Sequence, residues 1–216
     1  GVSRFAHLTG LEGISPKRAF ELMPYAVGRA DFLGTVKSDD PLNDPTESSL
    51  GAGLDLRYPL ASNLMLSGTV NPDFGQVEVD PAVVNLSQFE TFYPEKRPFF
   101  LEGATLFDFG SGGSNSGFGY NFSTPDFFYS RRIGRSPQLS GRGRYDWIDA
   151  ENETTILGAA KVTGKTEGGW TVAVMDALTQ KETAELMLDG TRRESTVEPM
   201  TNYLVARLAR DLSSRG

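Results

Sequence analysis

The sequence predicts a mainly β protein: antiparallel strands interrupted by one long, structured loop or plug insert. Three observations predict it. Apolar and polar residues alternate with period two in several separate segments, the signature of a strand with two unlike faces. Gly is abundant, 24 of 216 residues, while hydrophobic residues make up 38% and aromatics 11%. Helical periodicity is confined to one short stretch. Together these suit a sheet with one wet face better than a helical bundle.

Phe20–Phe32 is the first strand segment, at about 19–32. In the next, about 51–60, Leu54-Asp55-Leu56-Arg57-Tyr58 alternates strictly. The third, about 62–71, carries Leu64, Leu66, Gly68 and Val70 on one face. Asn63, Ser67 and Thr69 take the other face, with Met65 as an exception. The link Pro59–Asn63 is turn-like, so 51–71 reads as a hairpin. A second hairpin spans about 154–164 and 169–178, turning at Gly164–Gly169. There Ile156, Gly158, Ala160 and Val162 share a face, opposite Lys161 and Thr163. Trp170, Val172 and Val174 line the return strand. The last strand, about 201–212, alternates Leu204, Ala206 and Leu208 with Tyr203, Val205, Arg207 and Ala209.

Two connections are tight and three are long: Gly34–Leu50, Asp73–Asn152 and Thr179–Thr201. Short turns at one end and long loops at the other are the pattern of outer-membrane barrels. An ordinary sheet with one wet face fits the alternation equally well. The insert, 72–153, is too long to be empty. Its first part is dense in aromatics and charges, with a short amphipathic helix expected over Pro81–Phe92. Phe107–Phe122 is rich in Gly and Ser, and Phe127–Arg135 reads as strand-like with a basic end.

Composition excludes several functions. There are 21 basic and 28 acidic residues, a net charge of −7, which argues against a nucleic-acid partner. Zero Cys excludes disulfides, thiolate zinc sites and Cys nucleophiles. The one His, His7, gives little basis for a Ser-His-Asp site. Phosphate-loop and nucleophile-elbow motifs are absent. Asp39–Pro45 lacks the Gly and terminal Glu of an EF-hand, so no metal and no cofactor is expected. No apolar run reaches the ~18 residues of a membrane helix, which leaves a membrane β-barrel open. No leader is visible, and both ends read as cut from a longer chain.

Three clusters are candidates for chemistry. Asn71–Pro81 holds Asp73, Glu78 and Asp80. In an extended chain Glu78 and Asp80 share a face about 6.6–7 Å apart. Glycosidase carboxyls stand about 5–9.5 Å apart, so Asp73, Glu78, Glu95 and Glu102 are the acid/base candidates of a glycoside hydrolase-like site. Loop solvation and turn capping explain the same acids without catalysis. Phe89–Gly103 interleaves aromatics with charge. Tyr93, Arg97 and Phe99 would serve a carbohydrate platform there. The bland alternative is a folded plug in which Arg97 pairs bidentately with Glu90 or Glu102. In Tyr129–Arg135, the cations Arg131, Arg132 and Arg135 would grip an anion or neutralise acids nearby.

The string NPDFGQVEVDPAVVNLSQFETFYPEKRPFFLEG (Asn71–Gly103), followed by FYSRRIGR (Phe128–Arg135), resembles the bacterial envelope family called domain of unknown function 5916. SRFAHLTGLEGI (Ser3–Ile14), TTILGAAKVTGKTEGGW (Thr154–Trp170) and VEPMTNYLVARLARD (Val197–Asp211) extend the resemblance over nearly the whole chain. It implies a surface protein with an N-terminal family 9 carbohydrate-binding-type module and a C-terminal outer-membrane β-barrel, of which this chain is a partial domain. Its partners would be outer-membrane lipid, the rest of its own barrel, the N-terminal module and a carbohydrate ligand. On that arrangement Leu54, Leu56, Tyr58, Leu64, Leu66 and Val70 face lipid. Asp55, Arg57, Asn63, Ser67 and Thr69 face the lumen. The expected role is binding or passage of carbohydrate or a related polymer at the bacterial cell surface. The alternatives are a carbohydrate-active hydrolase and a soluble β-sheet interaction module.

Overall fold

A computed structural model describes residues 19–32, 39–72, 93–108, 128–139 and 143–210. Nine strands are present among them: β1 Glu21–Phe32, β2 Thr46–Ala61, β3 Leu64–Val70, β4 Trp147–Ala150, β5 Ile156–Lys165, β6 Trp170–Thr179, β7 Glu182–Leu188, β8 Thr191–Glu198 and β9 Thr201–Arg210. Six make one sheet in the order β1-β2-β3-β5-β6-β9, and three make a second in the order β4-β7-β8. Every pairing is antiparallel. The six-stranded sheet does not close on itself among the described residues; β1 and β9 are its edges.

Register settles which residues share a face. Arg57 pairs with Ser67, Ser67 with Lys161, Lys161 with Met175, and Met175 with Val205. One face therefore carries Glu21, Asp55, Arg57, Ser67, Thr69, Lys161, Thr163 and Arg207. The other carries Leu22, Leu54, Leu56, Tyr58, Leu64, Leu66, Val70, Val162, Val174, Leu204 and Leu208. The charged face is the covered one: Ser67, Thr69 and Lys161 are only 2–3% exposed. On the apolar face Leu50, Leu204 and Leu208 are 86%, 69% and 65% exposed.

The cover is the insert. Phe99, Phe100, Phe107 and Ile133 join Ile156, Ala159, Ala173, Met175 and Ala177 in one core cluster. Phe99 and Phe100 lie on the short helix α1, Pro98–Leu101, where Pro98 takes the first helical position and has no N–H to leave orphaned. 3-10 turns follow at Ala104–Leu106 and Ser130–Arg132.

The two tight turns lie side by side at one end of the sheet. The Lys165 amide donates to the Asn63 carbonyl at 2.8 Å. Gly164 permits this: its φ is +140°, and a Cβ there would stand 1.9 Å from the Asn63 oxygen. All three long connections leave from the opposite end, where the small sheet also sits. Its attachment is polar. The buried carboxylates of Glu182 and Glu198 accept the Thr155 and Gln138 amides, both at 2.8 Å.

Several sequence expectations are corrected. β2 starts at Thr46, because 46–50 continue the ladder with β1 as far as Thr46–Phe32. Asn63 belongs to the turn and not to the polar face. Ile156 crosses to the covered face, because the register shifts between Ile156 and Gly158. Ser130–Arg132 is a 3-10 turn where a strand was expected. Tyr129 and Ile133 both bury while Arg131, which an alternating strand would put on their face, stays partly exposed, and Gly134 adopts φ +80°. The connection 179–201 contains β7 and β8, which turn at Asp189-Gly190 with φ +49° and +72°. The expected helix over 81–92 and the Gly-rich residues 109–122 lie outside the described residues.

Ile133 is 1% exposed and fills the interface between insert and sheet. Ile133→Ala is expected to destabilise the protein by about 2–5 kcal/mol, read as a fall in the denaturant midpoint.

Candidate functional site

The candidate site is the interface between the insert and the charged face of the sheet. Its organiser is Glu95. One carboxylate oxygen accepts the Lys96 amide at 3.1 Å, the Arg97 amide at 3.0 Å and Arg97 Nε at 2.8 Å. The other accepts Arg97 Nη2 at 2.7 Å and the Ser130 hydroxyl at 2.5 Å. Arg97 also donates Nη1 to the Ile133 carbonyl at 2.5 Å and Nη2 to the Ser130 carbonyl at 2.8 Å. Its guanidinium lies 4.2 Å over the Phe100 ring. Tyr129 Oη accepts the Tyr93 amide at 2.8 Å and donates to the Tyr93 carbonyl at 3.1 Å. Residues 93–108 and 128–139, distant in sequence, are thereby one body.

Burial alone would raise the Glu95 carboxyl. The hydrogen bonds and charge of Arg97, with Ser130, outweigh it and hold the group below the usual carboxylate range. Five donors fill the roughly four lone-pair sites of a carboxylate. Glu95 is thus saturated as a structural acceptor and poorly placed to exchange a proton with a substrate.

Three strands of the sheet reach up to α1 and the turn after it. Lys161 Nζ on β5 donates to the carbonyls of Phe99 and Glu102 and lies 4.7 Å over the Phe99 ring. Arg57 on β2 meets the Glu102 carboxylate at 3.4 Å. Arg207 Nη1 on β9 donates to the Leu106 carbonyl at 3.1 Å. These cations face the carbonyl end of the turn, where positive charge is favoured.

A model of the family described as Domain of unknown function (DUF5916) matches residues 16–215. The chain belongs to this family. No curated protein and no solved structure matches it. The two DUF5916 strings singled out in the sequence, Asn71–Gly103 and Phe128–Arg135, therefore contribute the halves of one hydrogen-bonded unit through their described residues.

The sequence candidates divide as follows. Asp73 and Glu78 lie outside the described residues. Glu95 and Glu102 are held by different partners, Arg97 and Arg57. Among the described residues the bidentate partner of Arg97 is Glu95 and not Glu102, while Glu90 lies outside the described residues: Arg97 and Glu95 are two residues apart and fold back on each other just before α1. Phe99 is buried against Lys161 and offers no open ring. Tyr93 is half-buried against Tyr129. Arg131 and Arg132 lie on the 3-10 turn, with Arg132 5.9 Å from the Tyr129 ring. The Arg135 carbonyl accepts the Thr154 amide and hydroxyl at 3.1 and 2.7 Å. Among the described residues no three metal-ligating side chains converge. Lys161, Arg207 and Ser130 were not singled out as site residues. Face alternation placed Lys161 on the polar side, but its targets lie about sixty residues away in sequence.

At the long-connection end, acids crowd together. Burial raises the Asp149 carboxyl, and Glu185 and Asp40 raise it further against the opposing charge of Arg192.

Two outcomes follow. The lowered Glu95 pKa means its ionised form contributes stability above the ordinary carboxylate range, lost as pH falls through the folded-state pKa. Glu95→Gln should cost roughly 3 kcal/mol at pH 7. Denaturation at stepped pH should show the gap to the parent protein closing in acid. An ideal Cβ on Gly103 would lie 3.6 Å from Thr163 Cβ, within the ~3.5–4.5 Å of a disulfide. Gly103→Cys with Thr163→Cys should cross-link on mild oxidation in this Cys-free chain, seen as a mass loss of about two hydrogens. Gly103 has φ +69°, where any L side chain is strained, so a pair that stays reduced while the Gly103→Cys single variant keeps the parent's stability would mean that the turn does not dock there.

Proposed function

We propose that this DUF5916 chain forms part of the wall of a β-barrel in the bacterial outer membrane, with its insert seated in the lumen. The observation that carries the reading is the inverted polarity of the six-stranded sheet. A soluble sheet hides its apolar face and wets its charged one. Here the apolar face carries exposed residues on every strand, while the charged face is buried under folded chain over β3, β5 and β6. On the apolar face of this sheet the described charged side chains are Asp176 and Arg210. The first accepts Asn202 Nδ2 at 2.9 Å, and the second lies 5.3 Å from the Trp170 ring at the turn end.

Dimensions support the reading. From Leu50 to Tyr58 β2 rises about 27 Å. At a tilt of about 40° that crosses roughly 21 Å, close to the ~25 Å apolar band of such barrels. Aromatics gather where interfacial girdles lie. Phe20, Tyr58 and Trp170 are on the apolar face at the turn end, with the first two rings 6.2 Å apart, and Phe32 stands at the other end. Tight turns at one end and long connections at the other complete the pattern.

The proposed cargo is a carbohydrate or related polymer, bound or passed along the charged face. Asp55 and Arg57, partly exposed on that face, supply an acceptor and donors for a hydroxyl-rich chain. The saturated state of Glu95 weighs against hydrolysis at that residue.

The test is insertion. The full-length protein should require detergent and co-float with liposomes. Leu56→Arg, in the middle of the apolar band, should destabilise the inserted form by about 2–4 kcal/mol. Asp55→Asn, on the covered face, should float like the parent. A detergent-free, monodisperse protein that does not float would favour the soluble interaction module.

A further inference from the structure

We infer that the Arg97–Phe107 segment is a displaceable plug, latched to the wall by Lys161, Arg57 and Arg207. Three observations carry this beyond simple packing. First, the latch is polar and comes from separate strands. Lys161 and Arg207 bind backbone carbonyls of the turn, and Arg57 meets Glu102 at a rim where both side chains are about 40% exposed. The Arg57 and Arg207 contacts lie where water reaches and can be exchanged for it one at a time, which leaves the buried Lys161 bonds to break last. Second, much of the wall beneath the aromatics is small. Phe99, Phe100 and Phe107 rest in a cluster to which the sheet contributes Ala159, Ala173 and Ala177 beside Ile156 and Met175. The three alanines interlock little with the rings, and Met175 is unbranched and changes rotamer readily.

Third, the covered wall is not finished as a permanent core. α1 packs on β3, where Ser67 and Thr69 are each 3% exposed. Neither Ser67 Oγ nor Thr69 Oγ1 has a hydrogen-bond partner among the described residues. Buried hydroxyls without partners are destabilising, and an apolar residue of similar size would serve a permanent core better. With the plug away, both hydroxyls join Asp55, Arg57 and Lys161 on a hydrated face running the length of the sheet. Plug-in is then the closed state and plug-out the open one. Opening yields a path across a membrane only if the sheet is a barrel wall, so the inference rests on the proposed function.

Its test is read in detergent solution and does not depend on insertion. Ser67→Cys places a thiol under the plug of the full-length protein, with any Cys outside this chain replaced by Ser, and its reaction with a small charged maleimide is timed. A displaceable plug labels far faster than the protein unfolds globally, with little denaturant dependence, because opening is local. Lys161→Met should speed labelling by at least about tenfold, and Arg207→Met, on the edge strand, by about threefold, through the larger open population. The Arg207 variant decides the matter if Lys161→Met does not fold. Labelling that tracks global unfolding in every background overturns the plug as a moving part. So does immediate labelling that ignores both substitutions. Failure to float with liposomes removes the membrane reading instead, whatever the labelling shows.

Discussion

One constraint organises this molecule: the six-stranded sheet puts its charges on the face it covers and its leucines on the face it leaves bare. Register enforces this across the ladder from Arg57 through Ser67 and Lys161 to Met175 and Val205. A covered Lys161 needs acceptors, because an ammonium taken out of water is expensive unless paired. The sheet offers it few. The insert must therefore bring carbonyls to Lys161, and α1 with the turn after it is the local structure that does so. Its helical end gathers carbonyl oxygens in one place.

The insert in turn needs to be a body rather than a string. Glu95 and Arg97 provide this with a bidentate pair whose remaining donors and acceptors reach Ser130 and Ile133. Breaking a buried pair is costly, but the pair itself contributes little net stability against apolar residues of similar volume. Its value here is geometric. It fixes 93–108 against 128–139, so that Phe99, Phe100, Phe107 and Ile133 present one apolar surface to Ala159, Ala173, Met175 and Ala177. The aromatics are thus committed inward, which is why they make no open platform for a sugar.

The two ends of the sheet differ in kind. At the turn end Asn63 and Lys165 join two tight turns, and aromatics gather on the apolar side. At the other end the small sheet of β4, β7 and β8 adds acids, and Asp149 carries the electrostatic strain of that crowding. An apolar middle, an aromatic border and a charged outer end are three environments stacked along one direction. That stacking is what supports the proposed place in a lipid bilayer.

Much of this was legible in the residues themselves. Leu54, Leu56, Tyr58, Leu64, Leu66 and Val70 fall on one face, and Asp55, Arg57, Ser67 and Thr69 on the other, because a strand repeats every two residues. Asp189-Gly190 between apolar and charged runs is likewise a hairpin signal in the sequence, though the connection around it reads first as a loop. Period two assigns faces, but it does not say which face is inside. Nor does it reveal the register shift at Ile156, which moves one isoleucine into the core. The choice of Glu95 over Glu102 by Arg97, and of the Phe99 and Glu102 carbonyls by Lys161, belonged to the tertiary structure alone. Alternation is a local property of the backbone, carried by each strand separately. Partners sixty residues apart meet only where sheet register and a folded insert bring them, and that is a property of the whole chain.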